Sequence, residues 1–99
     1  LRFVTRHGCE PWEDLAVKLM LKWPNLHYST SAFAPKYYPT AIIDYANTRG
    51  ADKIIYAGYF PMGLHIDTIF EQLPNVPFRD HVWPQFLREN AMRVLKLEL

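Results

Sequence analysis

The chain has little that would staple or anchor it. A single cysteine, Cys9, excludes an internal disulfide and any cysteine-based zinc cluster. No apolar run approaches the roughly 18 residues of a membrane-spanning helix, so no membrane partner is expected. Neither sign of charge dominates. Eleven Lys and Arg face ten Asp and Glu, a formal net charge of +1. With no basic stripe or run, nucleic acid is not an expected partner. Glycine is scarce, at four residues, and there is no Gly/Ser linker, internal repeat or charge block. No cationic start precedes a long apolar run, so no signal peptide is read and the cytoplasm is the default location. The chain opens on Leu1 rather than Met, in a strand-like segment. That opening predicts polypeptide ahead of it.

What is present is apolar. Hydrophobic residues make up 49% of the 99 residues and aromatics 15%, a globular composition for one domain or part of one. The eight prolines and four glycines fall between periodic segments.

Leu1 to Arg6 reads as a strand, with Phe3, Thr5 and His7 on one face and Arg2, Val4 and Arg6 on the other. A turn follows at His7-Gly8-Cys9-Glu10. Pro11 suits a first helical position. Trp12, Leu15, Ala16, Leu19, Met20 and Trp23 then recur at helical spacing, which predicts an apolar face that packs in the core. Leu26 to Thr30 is a second strand, and Ser31 to Tyr38 a loop rich in aromatics and prolines. Pro39 and Thr40 open a second helix that Gly50 closes. Lys53 to Gly58 is a third strand. Its unbroken apolar run fits burial on both faces, as in a parallel sheet. Ile66, Ile69, Phe70 and Leu73 give one helical face. Trp83, Phe86, Leu87, Asn90, Ala91 and Val94 give the last.

The predicted order is strand, helix, strand, helix, strand, helix, helix. It argues for an α/β fold of three parallel βα units and a C-terminal helix. Three strands alone would carry two bare edges, so the pattern fits part of something larger. A flavodoxin-like sheet is the alternative, and it needs about five strands.

Four segments in order resemble the amidohydrolase-2 family. Phe3-Val4-Thr5-Arg6-His7-Gly8 resembles its strand-end His-Gly motif, and Pro24-Asn25-Leu26-His27-Tyr28 the entry to its next strand. Gly50-Ala51-Asp52-Lys53-Ile54-Ile55-Tyr56-Ala57-Gly58-Tyr59-Phe60-Pro61 is similar to its Gly-x-Asp-Arg segment, which ends in Asp-aromatic-Pro. Glu89-Asn90-Ala91-Met92-Arg93-Val94-Leu95 resembles its Asn-Ala-x-Arg helix. The resemblance implies that residues 1–99 are the C-terminal portion, strands six to eight, of a (β/α)8 barrel. A whole barrel is about 250 residues. It further implies a hydrolase or decarboxylase acting on a small organic acid, ester or lactone, with a divalent, zinc-like metal in the complete protein. The family's His-x-His pair is absent from this chain, and Tyr59 stands where the family has a metal-binding Asp. Asp52, at the far end of the strand, does not replace it.

His7 is the expected catalytic residue, an acid–base group at a strand's C-terminal end. The plainer reading is a histidine satisfied by a turn carbonyl. Tyr59 and Phe60, Ser29, and Tyr37 of the aromatic loop are the expected substrate contacts. For Tyr59 the plainer reading is an aromatic that fills the pocket an absent metal has left, and for the loop of Tyr37 ordinary packing is an equal alternative. Cys9, two residues from His7, reads as a half-buried thiol. Glu10, Glu13 and Asp14 read as acidic residues complementing a helix dipole. His27, His65 and His81 lack metal-site spacing, and Trp12, Trp23 and Trp83 read as core. The expected partners are a small-molecule substrate in the complete protein, plus an oligomer or a missing N-terminal part. The 99 residues alone are expected to be inactive. The alternative is a non-catalytic fragment that pairs through its open sheet edges.

Overall fold

A computed structural model describes residues 1–58 and 65–97. Three strands, β1 (Phe3–Val4), β2 (Leu26–Ser29) and β3 (Ile54–Ile55), alternate with helices α1 (Glu13–Lys22), α2 (Thr40–Thr48) and α3 (Ile66–Gln72). The last helical segment runs from α4 (Val82–Pro84) through a π-helical turn (Gln85–Glu89) into α5 (Asn90–Leu95). All pairings are parallel, in the order β1-β2-β3. The predicted α/β architecture of three βα units and a terminal helix is therefore what forms. No reversal of strand order, the mark of a doubly wound sheet, falls among these three strands. Here strands follow in sequence and α1 packs on α2, the single winding of a barrel wall.

The strands are shorter than their apolar runs, because a residue counts as strand only where a neighbour takes its hydrogen bonds. Alternation divides the sheet into two faces. Tyr28 and its register partner Ile54 face the helices and meet Ala16, Met20, Ile42 and Ala46 in the main core. Ser29 and its partner Ile55, with His27 and Val4, take the other face. Ile54 and Ile55 are both buried, as the unbroken run predicted.

Helix α1 corrects the predicted core. It starts at Glu13, so Pro11 lies outside it. Only Ala16 and Met20 of its apolar residues are buried, whereas Trp12 and Trp23 are more than half exposed. The stripe is too wide for the small patch of sheet beneath it, and α1 turns its short Ala16–Met20 ridge inward. Trp83 does meet the core, edge-on to Phe78 and Phe86. Gly50 follows α2 as predicted, for a different reason. A Cβ there would lie 2.2 Å from the Tyr45 ring.

The expectation of two bare edges is also corrected. On the outer side of β3, the Tyr56 N–H donates to the Phe86 carbonyl at 3.0 Å, and Asn90 Nδ2 donates to the Ile54 carbonyl at 2.9 Å. Asn90 Nδ2 also donates to the Ala51 carbonyl at 2.7 Å. Phe86 lies in the widened π turn, where a carbonyl is released from the ordinary helical ladder. The terminal helix thus fills the positions a fourth strand would take. No described strand covers the outer edge of β1.

Asn90 is fully buried, so losing its amide strands the buried Ile54 carbonyl and unpairs the half-buried Ala51 carbonyl. Asn90→Leu is expected to lower unfolding free energy by about 3 kcal/mol, read as a drop in the urea midpoint. A change below about 0.5 kcal/mol would mean that the edge is not held this way.

Candidate functional site

The C-terminal ends of β1 and β2 lie side by side. After β1 the chain enters a tight turn at His7–Cys9. His7 (φ 50°), Gly8 (φ 63°) and Cys9 (φ 55°) all occupy the left-handed region. Gly8 has a second reason to lack a side chain, since a Cβ would fall 2.2 Å from the Phe33 ring. His7 and Cys9 have no such freedom. Such strain concentrates at sites that fix a side chain's direction.

Two hydrogen bonds to described residues help to hold His7. Its backbone N–H donates to Ser31 Oγ at 2.9 Å. Its ring Nε2 lies 2.9 Å from Arg6 Nη2. A guanidinium only donates, so Nε2 is the acceptor and the ring proton sits on Nδ1. Ser29 Oγ accepts from the Ser31 N–H at 3.2 Å and thereby fixes the Ser31 turn. Ser29 is buried, while Arg6 is exposed and Ser31 half-buried.

A second hydroxyl layer lies behind. Thr30 Oγ1 accepts from the Ala57 N–H at 3.1 Å and from Tyr38 Oη at 3.4 Å. Burial pushes the Tyr38 phenol up to about 12, against the Thr30 bond that lowers it. Burial also raises the Tyr28 phenol, with Cys9, Glu13, Tyr38 and Glu10 nearby adding to it. Both remain protonated donors at neutral pH. Tyr28 Oη and Thr5 Oγ1 are buried without a hydrogen-bond partner among the described residues.

The expected site residues are placed as follows. His7 and Ser29 are joined through Ser31. Tyr37 is exposed, beneath Lys36 Nζ at 5.0 Å from its ring. Tyr59 and Phe60 lie outside the described residues. Cys9 is half-buried in the turn, and Glu13 and Asp14 occupy the first turn of α1. His65 and His81 are exposed. Sequence reasoning passed over Arg6, which it set on the opposite strand face from His7. The left-handed turn swings the two side chains together, and no periodicity shows that.

Among the described residues, no three His, Cys, Asp or Glu side chains converge in a way that could hold a metal ion. His7 Nε2 meets the Arg6 guanidinium.

At the other end of the sheet, Lys53 does structural work that the sequence left unread. Its Nζ donates to the carbonyls of Trp23, Pro24 and Leu26 at 2.9–3.0 Å, at the negative end of α1. Burial lowers its pKa, with Asp52 opposing. His27 is buried beside it, its Nδ1 3.2 Å from the Asn25 carbonyl.

The backbone superposes on an uncharacterized TIM-barrel protein from Bordetella bronchiseptica with a TM-score of 0.84 at 25% sequence identity. The match covers 97% of this chain and 34% of that one. The chain thus spans about a third of the length of the structure it resembles, and its three βα units are a partial TIM barrel. No protein-family profile and no curated protein sequence matches it. No helix among the described residues is long and apolar enough to cross a membrane.

His27 carries a pH prediction. Burial first, then the Lys53 charge, lowers its pKa below 6.5 in the folded state. Below 6.5 the unfolded chain binds the proton more readily than the folded chain. Stability is therefore full above pH 6.5 and falls as pH drops through the folded-state value. Urea midpoints between pH 7 and pH 5 should show this fall, and His27→Gln should flatten it. An equal fall in the variant would assign the effect elsewhere.

Proposed function

We propose that these residues are strands six to eight of a barrel hydrolase or decarboxylase of the amidohydrolase type. Its substrate is a small organic acid, ester or lactone, and His7 is its acid–base residue. The observation that carries this reading is the placement of His7. It stands at the C-terminal end of a parallel strand, where TIM barrels keep their chemistry, in a strained turn that Ser31 holds from the next strand. The ordered sequence resemblance supports the same reading.

In this reading the ring takes and returns a proton at Nε2, while Nδ1 carries the fixed proton. Ser29 and Ser31 orient the turn beneath the substrate. Tyr59, Phe60 and Tyr37 are assigned to the pocket wall. The described donors do not assemble a metal centre, so no step is routed through one.

A second reading, a non-catalytic unit that pairs through its sheet, draws on the open outer edge of β1. It loses ground if the complete protein turns over substrate.

His7→Asn in the complete protein should lower kcat/KM by about 100-fold or more on whichever lactone or aromatic acid is processed. Steady-state assays over a panel of such compounds provide the measurement. Turnover within twofold of the unaltered protein would remove the assignment.

A further inference from the structure

We infer that the outer edge of β1 and the adjoining apolar flank of α1 form one docking seam for a further βα unit, whose strand runs parallel to β1 and whose helix lies along α1. The inference rests on the reading of these residues as part of a barrel and is independent of the chemistry assigned to His7.

Both halves of the seam face the same way. The Phe3 and Thr5 N–H groups donate to the Asn25 and His27 carbonyls at 2.9 and 3.0 Å. In a parallel ladder the residue between them, Val4, turns its N–H and carbonyl to the opposite side. Phe3 pairs with Leu26 in register and so shares the helix-side face with Tyr28. Leu21 of α1 and Tyr45 of α2 line one groove, which puts α2 on the Leu21 side of α1. At about 100° per residue, Trp12, Leu15 and Leu19 project from the other side, toward the outer edge of β1.

The flank is apolar along its length. Phe3, Trp12, Leu15, Leu19 and Trp23 are between 37% and 66% exposed. Two apolar grooves lie along it. One, of about 330 Å³, is lined by Phe3, Trp23 and Leu26. The other, of about 310 Å³, is lined by Cys9, Trp12, Leu15 and Leu19. Contiguous apolar surface marks an interaction site, and an open strand edge is a template for pairing. A strand with its helix covers both at once.

Two observations choose the occupant. The structure superposes on a TIM barrel of which about two thirds of the chain lies outside the match, and a barrel wall continues by parallel βα units. Charge argues against a second copy. Two-fold pairing through β1 is antiparallel, with the same edge on both copies. Centred on Val4, it sets Arg2 of each copy opposite Arg6 of the other. Like charges directly opposite each other destabilise a strand pair. The partner strand therefore carries no Lys or Arg facing Arg2 and Arg6, and its helix presents an apolar stripe to Trp12, Leu15 and Leu19.

The test compares the 99-residue chain alone with a chimaera in which it replaces the matched third of the Bordetella bronchiseptica barrel. The chain alone should be a monomer by native mass spectrometry. In the chimaera, hydrogen exchange at the Val4 N–H should slow by about 100-fold or more, and tryptophan emission should shift to the blue. Leu15→Lys combined with Leu19→Lys should lower the urea midpoint of the chimaera and leave that of the chain alone in place, because the flank is exposed there. Val4→Pro, which removes an outward N–H, should act in the same sense. Three outcomes would overturn the proposal: a homodimer of the chain that protects the Val4 N–H, a chimaera in which that N–H exchanges as fast as in the chain alone, or a double variant that shifts both midpoints equally or neither. Since none of these readouts uses turnover, failure here is separable from failure of the catalytic reading, which falls if His7→Asn remains active.

Discussion

A strand offers hydrogen-bonding groups on both of its edges, and a buried edge left unpaired is costly. For β3 this constraint is met from outside the sheet. The Phe86 carbonyl and the Asn90 amide take the places of a neighbouring strand's donor and acceptor. Much else depends on those two groups. They set the height at which the terminal helix lies. That height brings Phe86 into edge-on contact with Tyr38, Tyr56 and Trp83. Tyr38 in turn reaches Thr30, the threonine that also receives the Ala57 N–H. The hydroxyl layer behind the candidate site is thus built upward from an edge seal.

The two ends of the sheet solve different electrostatic problems. At the N-terminal end, one ammonium group gathers three carbonyls where α1 stops and β2 begins, and it stays buried because all three of its protons are used. The Arg2 guanidinium crosses to the Arg93 and Val94 carbonyls at the close of α5. Cations there serve the backbone. At the C-terminal end, Arg6 bonds no carbonyl among the described residues and rests on an imidazole. The same residue type is structural at one end and available at the other. The difference lies in whether helix C-termini are within reach.

Much of the architecture was legible in the sequence, because local periodicity carries it. The continuous run at Ile54 and Ile55, the stop at Gly50 and the helical spacing after Val82 each survive in the structure. The exposed Trp12 and Trp23 were not legible. An apolar stripe states that one face avoids water, and it does not state how much sheet lies beneath it. The Asn90 and Lys53 bonds span 27 to 39 residues, and no local pattern encodes such reach. For the site, His7 was readable from its place at a strand end. Its partner Arg6 was not, since a left-handed turn breaks the alternation that the strand reading assumes.

The asymmetry of the edges has a consequence for assembly. A sheet that grows by edge pairing into an open series needs two free sides on every unit. Among the described residues, the outer side of β3 meets a helix of the same chain. A helix laid along an edge in this way is one of the covers that keep a strand from pairing into an open series.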